Sequence, residues 1–151
     1  KEDREAVDQA LAETRLEAMR TRQVMSLSGG ERQRAWIAMA LARQPEYLLL
    51  DEPTTYLDIA HQLEVMEIIQ RLNREHGMTV IMVLHDINHA LQYADEIAVI
   101  KDKQIRSTGA PHDVLNIEML ADVFGVRADI FTNSQGVQVL SPISLVRCEG
   151  R

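Results

Sequence analysis

The chain has 151 residues, 46% hydrophobic and 26% charged, with a formal net charge of −7. This balance suits one modest globular domain with a real core, and the negative charge argues against a nucleic-acid partner bound by bulk electrostatics. One cysteine, Cys148, allows no internal disulfide and fits a reducing compartment, no apolar run approaches a membrane span, and no basic-then-apolar leader signals secretion.

Residues 1–20 are charged, with Val7, Ala10, Leu11, Thr14 and Ala18 at the spacing of one helical face, so an amphipathic helix with a solvated outer side is expected. A connector carrying Val24 and Leu27 leads to a helix over about 28–43, where Trp36, Ile37, Ala40 and Leu41 supply an apolar face and Pro45 ends the run. Trp36 is read as core. Tyr47–Leu50 is a continuous apolar run, the pattern of a strand buried on both faces of a parallel sheet. It is followed by Asp51-Glu52-Pro53, and proline cannot continue the ladder, so both carboxylates fall at the strand's C-terminal edge. In open α/β sheets that edge binds ligands.

A helix over 58–76 follows, with Ile59, Leu63, Met66, Ile69 and Leu72 expected inward and Gly77 as its stop. Thr79–Leu84 reads as a second apolar strand, again ending in polar residues, His85-Asp86. A short helix with Leu91 and Tyr93 precedes a hairpin, 96–101 and 105–108, around Asp102-Lys103-Gln104. Pro111 opens a helix to about Phe124, stopped by Gly125, and two strand-like pieces flank Ser134-Gln135-Gly136. The alternation of strand and helix predicts an α/β fold with a parallel sheet.

Chemistry concentrates at three places. Ser28 followed by Glu31 forms a capping box, in which the serine oxygen takes the Glu31 N–H and the carboxylate reaches back. Gly29 and Gly30 lie in the first helical turn, where missing side chains admit another molecule's phosphate or backbone, and exposed N–H groups favour an anion. Asp51-Glu52 is the second place, and Asp58 is a natural N-cap for the helix that follows. The third, His85-Asp86-Ile87-Asn88-His89, imitates the zinc signature H-E-x-x-H. Asp86 is one methylene too short for that motif, His85 directly follows a strand, and His61, His76 and His112 offer no evident third ligand, which argues against zinc.

The string Leu27-Ser28-Gly29-Gly30-Glu31-Arg32-Gln33 resembles the signature motif of ATP-binding cassette (ABC) ATPases. Asp51-Glu52 resembles a Walker B motif with its adjacent catalytic glutamate, Tyr56-Leu57-Asp58 the D-loop, and His85 the switch histidine, in the family's order and spacing. The resemblance covers essentially residues 1–125. It implies that Asp51 holds Mg²⁺, mostly through water, and that Glu52 and His85 position the water that attacks ATP. Ser28, Gly29, Gly30 and Glu31 would contact nucleotide bound to a second copy, with Asp58 joining the two sites. The string from Asp51 to Gln62 looks most like ATPases of ferric-siderophore, haem and cobalamin importers. The partners implied are a second ATPase subunit and membrane permease subunits, with the protein peripheral on the cytoplasmic face of the membrane.

Two departures stand out. Lys103 takes a hairpin position where the family usually has glycine, and no G-x-x-x-x-G-K-[ST] phosphate loop occurs anywhere in the sequence. The expected architecture is therefore the C-terminal part of a P-loop ABC ATPase domain. Residues 1–45 would be part of the helical subdomain, 46–125 the C-terminal part of the ATPase core, and 126–151 a C-terminal β extension. Two rivals are a half-domain that binds a partner without hydrolysis and a non-transport ABC ATPase of DNA repair or translation. Residues 1–26 are too short for the heptads of a coiled-coil repair ATPase, and Thr55-Tyr56 differs from the pair usual in translation-type members.

Overall fold

The computed structural model describes residues 2–146, so Cys148 and the end of the expected C-terminal extension lie outside the described residues. The chain falls into two compact units, residues 1–85 and 86–151. Among the described residues the strands form three two-stranded sheets.

In the first unit, α1 (Glu2–Glu13) ends well before Ala18, and the next residues turn through short 3₁₀ segments at Glu17–Met19 and Val24–Ser26. Thr14 closes the end of α1 by giving its hydroxyl hydrogen to the Ala10 carbonyl at 2.8 Å. Glu13 ties this end to a later part of the chain, accepting from Arg71 Nε at 3.2 Å and lying 3.0 Å from His76 Nε2. Helix α2 (Gly29–Leu41) buries Arg34, Ile37, Ala38 and Leu41. Trp36 is not core: it is 58% exposed. It neighbours Ile37 in sequence, and a turn of 100° per residue carries it round to the helix flank.

Strand β1 (Tyr47–Asp51) pairs in parallel with β2 (Thr79–Val83), Tyr47 opposite Thr79 and Asp51 opposite Val83. Helix α3 (Ile59–His76) makes the crossover between them. It starts on Asp58, whose Oδ1 accepts from the His61 N–H at 3.0 Å, and stops at Gly77, left-handed at φ 64°. Two expectations fail here. The strands are not buried on both faces: Leu48 is buried, whereas Leu49 is 72% exposed and Tyr47, Ile81 and Val83 are exposed beside it. Alternation sends every second side chain away from the helix-covered face, so the apolar run alone cannot report a second cover. On α3 the buried stripe is Val65, Met66, Ile68, Ile69 and Leu72, while Ile59 and Leu63 are exposed.

The second unit starts with α4 (Ile87–Tyr93), capped by Asp86, followed by the hairpin of β3 (Ile97–Lys101) and β4 (Gln104–Gly109). Its two linking residues, Asp102 and Lys103, both take positive φ, 52° and 62°. The turn is thus the primed kind that suits strand twist, and Lys103 bears roughly 1 kcal/mol of strain that glycine would avoid. The expected helix from Pro111 to Phe124 is interrupted. It comprises α5 (Pro111–Val114), α6 (Ile117–Met119) and a wider π turn at Leu120–Phe124, stopped by left-handed Gly125. Asn116 causes the break by accepting the Met119 N–H at 2.9 Å, a side-chain cap that competes with helix continuation. A second hairpin, β5 (Val126–Thr132) and β6 (Gln138–Leu145), flanks the expected turn. Leu120, Ala128 and Leu140 pack together beneath it, and Asn88 clamps the Leu140 backbone in both directions, at 2.8 and 3.1 Å.

The revised face of α3 is testable. Met66→Ala, fully buried, should cost about 2–5 kcal/mol, whereas Leu63→Ala should stay within about 1 kcal/mol. Urea unfolding midpoints at constant slope check the difference, and equal losses would restore the face expected from sequence.

Candidate functional site

The parallel register decides where the acids and the histidine go. Asp51 pairs with Val83 as the last rung, and the Glu52 N–H extends the ladder by donating to the Val83 carbonyl at 3.2 Å. Glu52 then turns into the left-handed region at φ 48°, which only a minority of non-glycine residues adopt and which clusters at working sites. Pro53 and Thr54 are buried behind it. His85 emerges two residues beyond β2, at the same edge.

The result is a direct contact, Glu52 Oε1 to His85 Nε2 at 2.6 Å. A carboxylate only accepts, so the Nε2 edge of His85 carries the hydrogen. The other oxygen, Oε2, accepts from the Thr55 hydroxyl at 3.0 Å. These two bonds, that from His85 first, hold the Glu52 carboxyl below its ordinary pKa, as does the nearby His85 charge, against a smaller opposing desolvation. Glu52 therefore stays ionised at neutral pH, with acceptor lone pairs left over for a water. Asp51 is exposed, and among the described residues no hydrogen bond or ion pair engages its carboxylate. A single unengaged carboxylate fits Mg²⁺, which keeps most of its water. Among the described residues no group of three or more His, Cys, Asp or Glu side chains could hold a metal by itself, so phosphate and water would have to complete such a shell.

The capping box at α2 is complete. The Glu31 N–H donates to Ser28 Oγ at 3.3 Å, and the Ser28 N–H donates to Glu31 Oε2 at 2.7 Å. The Ser28 backbone N–H first, and the Ser28 side chain after it, hold the Glu31 carboxyl below its ordinary pKa. The amides of Gly29 and Gly30 open the helix, where no preceding turn supplies acceptors. Asp58 caps α3, and the Gln62 amide ties the preceding loop by donating to the Leu57 carbonyl at 3.0 Å. Tyr56 projects fully into solvent from a left-handed backbone, φ 63°.

Sequence reasoning missed Thr55 as a Glu52 partner and missed a cluster of His61, Glu64 and Arg34 between α2 and α3. His61 Nδ1 lies 3.1 Å from Glu64 Oε2, which also pairs with buried Arg34. The i, i+3 spacing of His61 and Glu64 was a readable signal; their partner on another helix was not. His85 lies before α4 and His89 is buried within it, so the two do not form the shared helical face of a zinc protease.

The first unit thus combines a βαβ arrangement with paired acids at its strand edge and a capped glycine turn opening a neighbouring helix. The chain is part of an ABC transporter ATPase domain. The family profile described as "ABC transporter" matches residues 1–55. The petrobactin import ATP-binding protein FpuC of Bacillus anthracis is 58% identical over 135 residues, which cover 89% of this chain and 50% of that protein. An inward-facing ABC transporter described as of metal-chelate type superimposes with a TM-score of 0.85 at 28% identity, over 93% of this chain and 57% of its own. A dimeric ATP-binding cassette in a post-hydrolysis state, bound to ADP and Pi, matches with a TM-score of 0.62 at 35% identity, over 72% of this chain and 47% of its own. The chain spans about half the length of the curated relatives it matches. Among the described residues no helix is long and apolar enough to cross a membrane.

The electrostatic account of Glu52 gives a pH test. A depressed folded pKa means the Glu52 contribution to stability is present above the unfolded carboxyl value and is lost as pH falls through the lower, folded value. Carboxyl-carbon NMR should find Glu52 titrating below its ordinary 4.5 and should find His85→Ala moving it upward. An ordinary titration in both proteins contradicts the pairing.

Proposed function

We propose that this chain supplies the signature, Walker B, D-loop and switch elements of an ATP-hydrolysing importer subunit. The observation that carries the proposal is the Glu52–His85 contact at 2.6 Å, which brings an ionised carboxylate and an imidazole N–H to one strand edge beside a free Asp51. In this reading Asp51 holds Mg²⁺ mostly through water, and Glu52 accepts a hydrogen bond from the attacking water and orients it. His85 stays bonded to Glu52 and offers its ring toward the γ-phosphate. The cofactors are ATP and Mg²⁺, and the ion supplies charge neutralisation on the phosphates.

Ser28, Gly29, Gly30 and Glu31 present a capped helix start suited to phosphate oxygens, and they would serve nucleotide held by a second copy. Asp58 lies between the two functions, at the loop joining Glu52 to α3. Residues 1–45 are assigned to part of the helical subdomain, 46–125 to the ATPase core and 126–151 to a C-terminal β extension. The similarity to a petrobactin import protein supports a ferric-siderophore or related cargo, and the dimeric cassette among its structural neighbours supports a paired subunit. Membrane permease subunits would be the other partners, with the ATPase peripheral on the cytoplasmic face. No observation favours a nucleic-acid partner.

Two outcomes test this. In the complete protein, Glu52→Gln should retain ATP binding but lose turnover by roughly two to four orders of magnitude, the usual worth of a positioned general base, with ATP-bound dimers accumulating. Normal turnover would remove Glu52 from the mechanism. The 151-residue chain alone lacks the glycine-rich phosphate loop; calorimetry at micromolar protein should detect no ATP·Mg²⁺ binding, and micromolar affinity would contradict the assignment.

A further inference from the structure

We propose that His61 is a positioning residue that fixes the signature turn against the loop following Glu52; this rests on the reading above, in which Ser28–Gly30 engages nucleotide. The observation is steric. A Cβ built on Gly30 would lie 2.5 Å from His61 Cγ, 2.7 Å from Nδ1 and 2.8 Å from Cδ2, closer than side-chain atoms ever stand. Gly29, by contrast, has room, its nearest neighbour being Leu57 Cδ2 at 3.9 Å. Of these two, Gly30 alone is required to be glycine by the surrounding packing, and the imidazole occupies the place its side chain would take.

That ring is held at both ends of a closed circuit. Its Nδ1 meets Glu64 Oε2 at 3.1 Å, Glu64 pairs with the Arg34 guanidinium, and Arg34 stands one helical turn after Gly30 on α2. Arg34 is only 9% exposed, and among the described residues Glu64 is the group its guanidinium pairs with. On the other side, Asp58 accepts from the His61 N–H at 3.0 Å and lies 4.0 Å, as a charge neighbour, from His61 Nε2. Gln62 ties the same helical turn to the carbonyls of Leu57 and Thr54, at 3.0 and 3.4 Å. The loop from Glu52 to Asp58 thus ends in a helical turn whose side chains clasp the signature helix within one turn of Ser28. A shift at one end is carried to the other through these contacts, with His61 as the piece that touches Gly30.

The test uses steady-state ATP hydrolysis by the complete protein. His61→Ala should lower kcat/KM roughly ten- to a hundredfold, as expected when a binding group moves by about 1 Å. Most of the loss should appear in KM, because the signature turn acts by engaging nucleotide. His61→Asn, whose amide nitrogen can stand in for Nδ1 and donate to Glu64, should recover most of it. His61→Leu, which keeps bulk against Gly30 but donates nothing, should remain impaired and serves if His61→Ala unfolds early. Ser28→Ala is the reference for the signature itself. If Ser28→Ala is impaired and folded His61→Ala or His61→Leu is not, the positioning role is overturned while the proposed function stands. Equal impairment of His61→Asn and His61→Leu also overturns it. If Ser28→Ala hydrolyses ATP normally, the reading of the signature fails, and this inference with it.

Discussion

The in-register parallel pairing of Tyr47–Asp51 with Thr79–Val83 is the constraint on which the site depends. Parallel strands end at the same edge, so whatever follows each one arrives side by side. Glu52 adds one more backbone bond, to Val83, before its left-handed turn, and Pro53 then offers no donor with which to prolong the ladder. His85, 33 residues away in sequence, is delivered within 2.6 Å of the Glu52 carboxylate. A slip of one residue in this register would turn Leu48 away from the covered face and pull the pair apart, which ties burial and chemistry to the same alignment.

The second constraint is how α2 is held on α3. A surface ion pair contributes little, but Arg34 is buried, and removing Glu64 would leave its charge without a partner. The asymmetry favours one docking of the helices over alternatives more than it adds stability. It also gives the loop between β1 and α3 a defined end. Asp58 caps α3 and Gln62 holds the loop carbonyls, so the exposed Tyr56 projects from a braced turn. The loop can keep a left-handed tyrosine because its neighbours over-determine it.

Local chemistry made part of this legible. The Ser28–Glu31 box, the Asp58 cap and the stops at Gly77 and Gly125 all depend on residues close to one another in sequence, and each forms as the sequence indicates. Packing was less readable. The apolar run at 47–50 gave no sign that Leu49 faces solvent, and periodicity placed Ile37 and Met66 inward correctly but put Trp36, Ile59 and Leu63 there with them, although all three are exposed. Asn116 broke a helix that periodicity alone would continue. The placement of His61 over Gly30 required knowing how α2 packs on α3, which no spacing rule supplies. The positions of Ser28, Glu52, Asp58 and His85 at strand and helix ends were more legible, because caps and breakers mark those ends well.

The central claim is that the signature turn and the Glu52–His85 pair work on the same nucleotide from different copies of the protein. Mixed dimers test it most directly. Differently tagged complete proteins, one carrying Ser28→Arg and the other Glu52→Gln, should each be inactive as pure dimers. Purified through both tags, the mixed dimer holds one site with an intact Glu52 from one copy and an intact signature from the other. The account predicts that ATP hydrolysis returns in this mixed species. Mixed dimers as inactive as either parent would place the signature and the acid pair in the same copy's site and contradict the account.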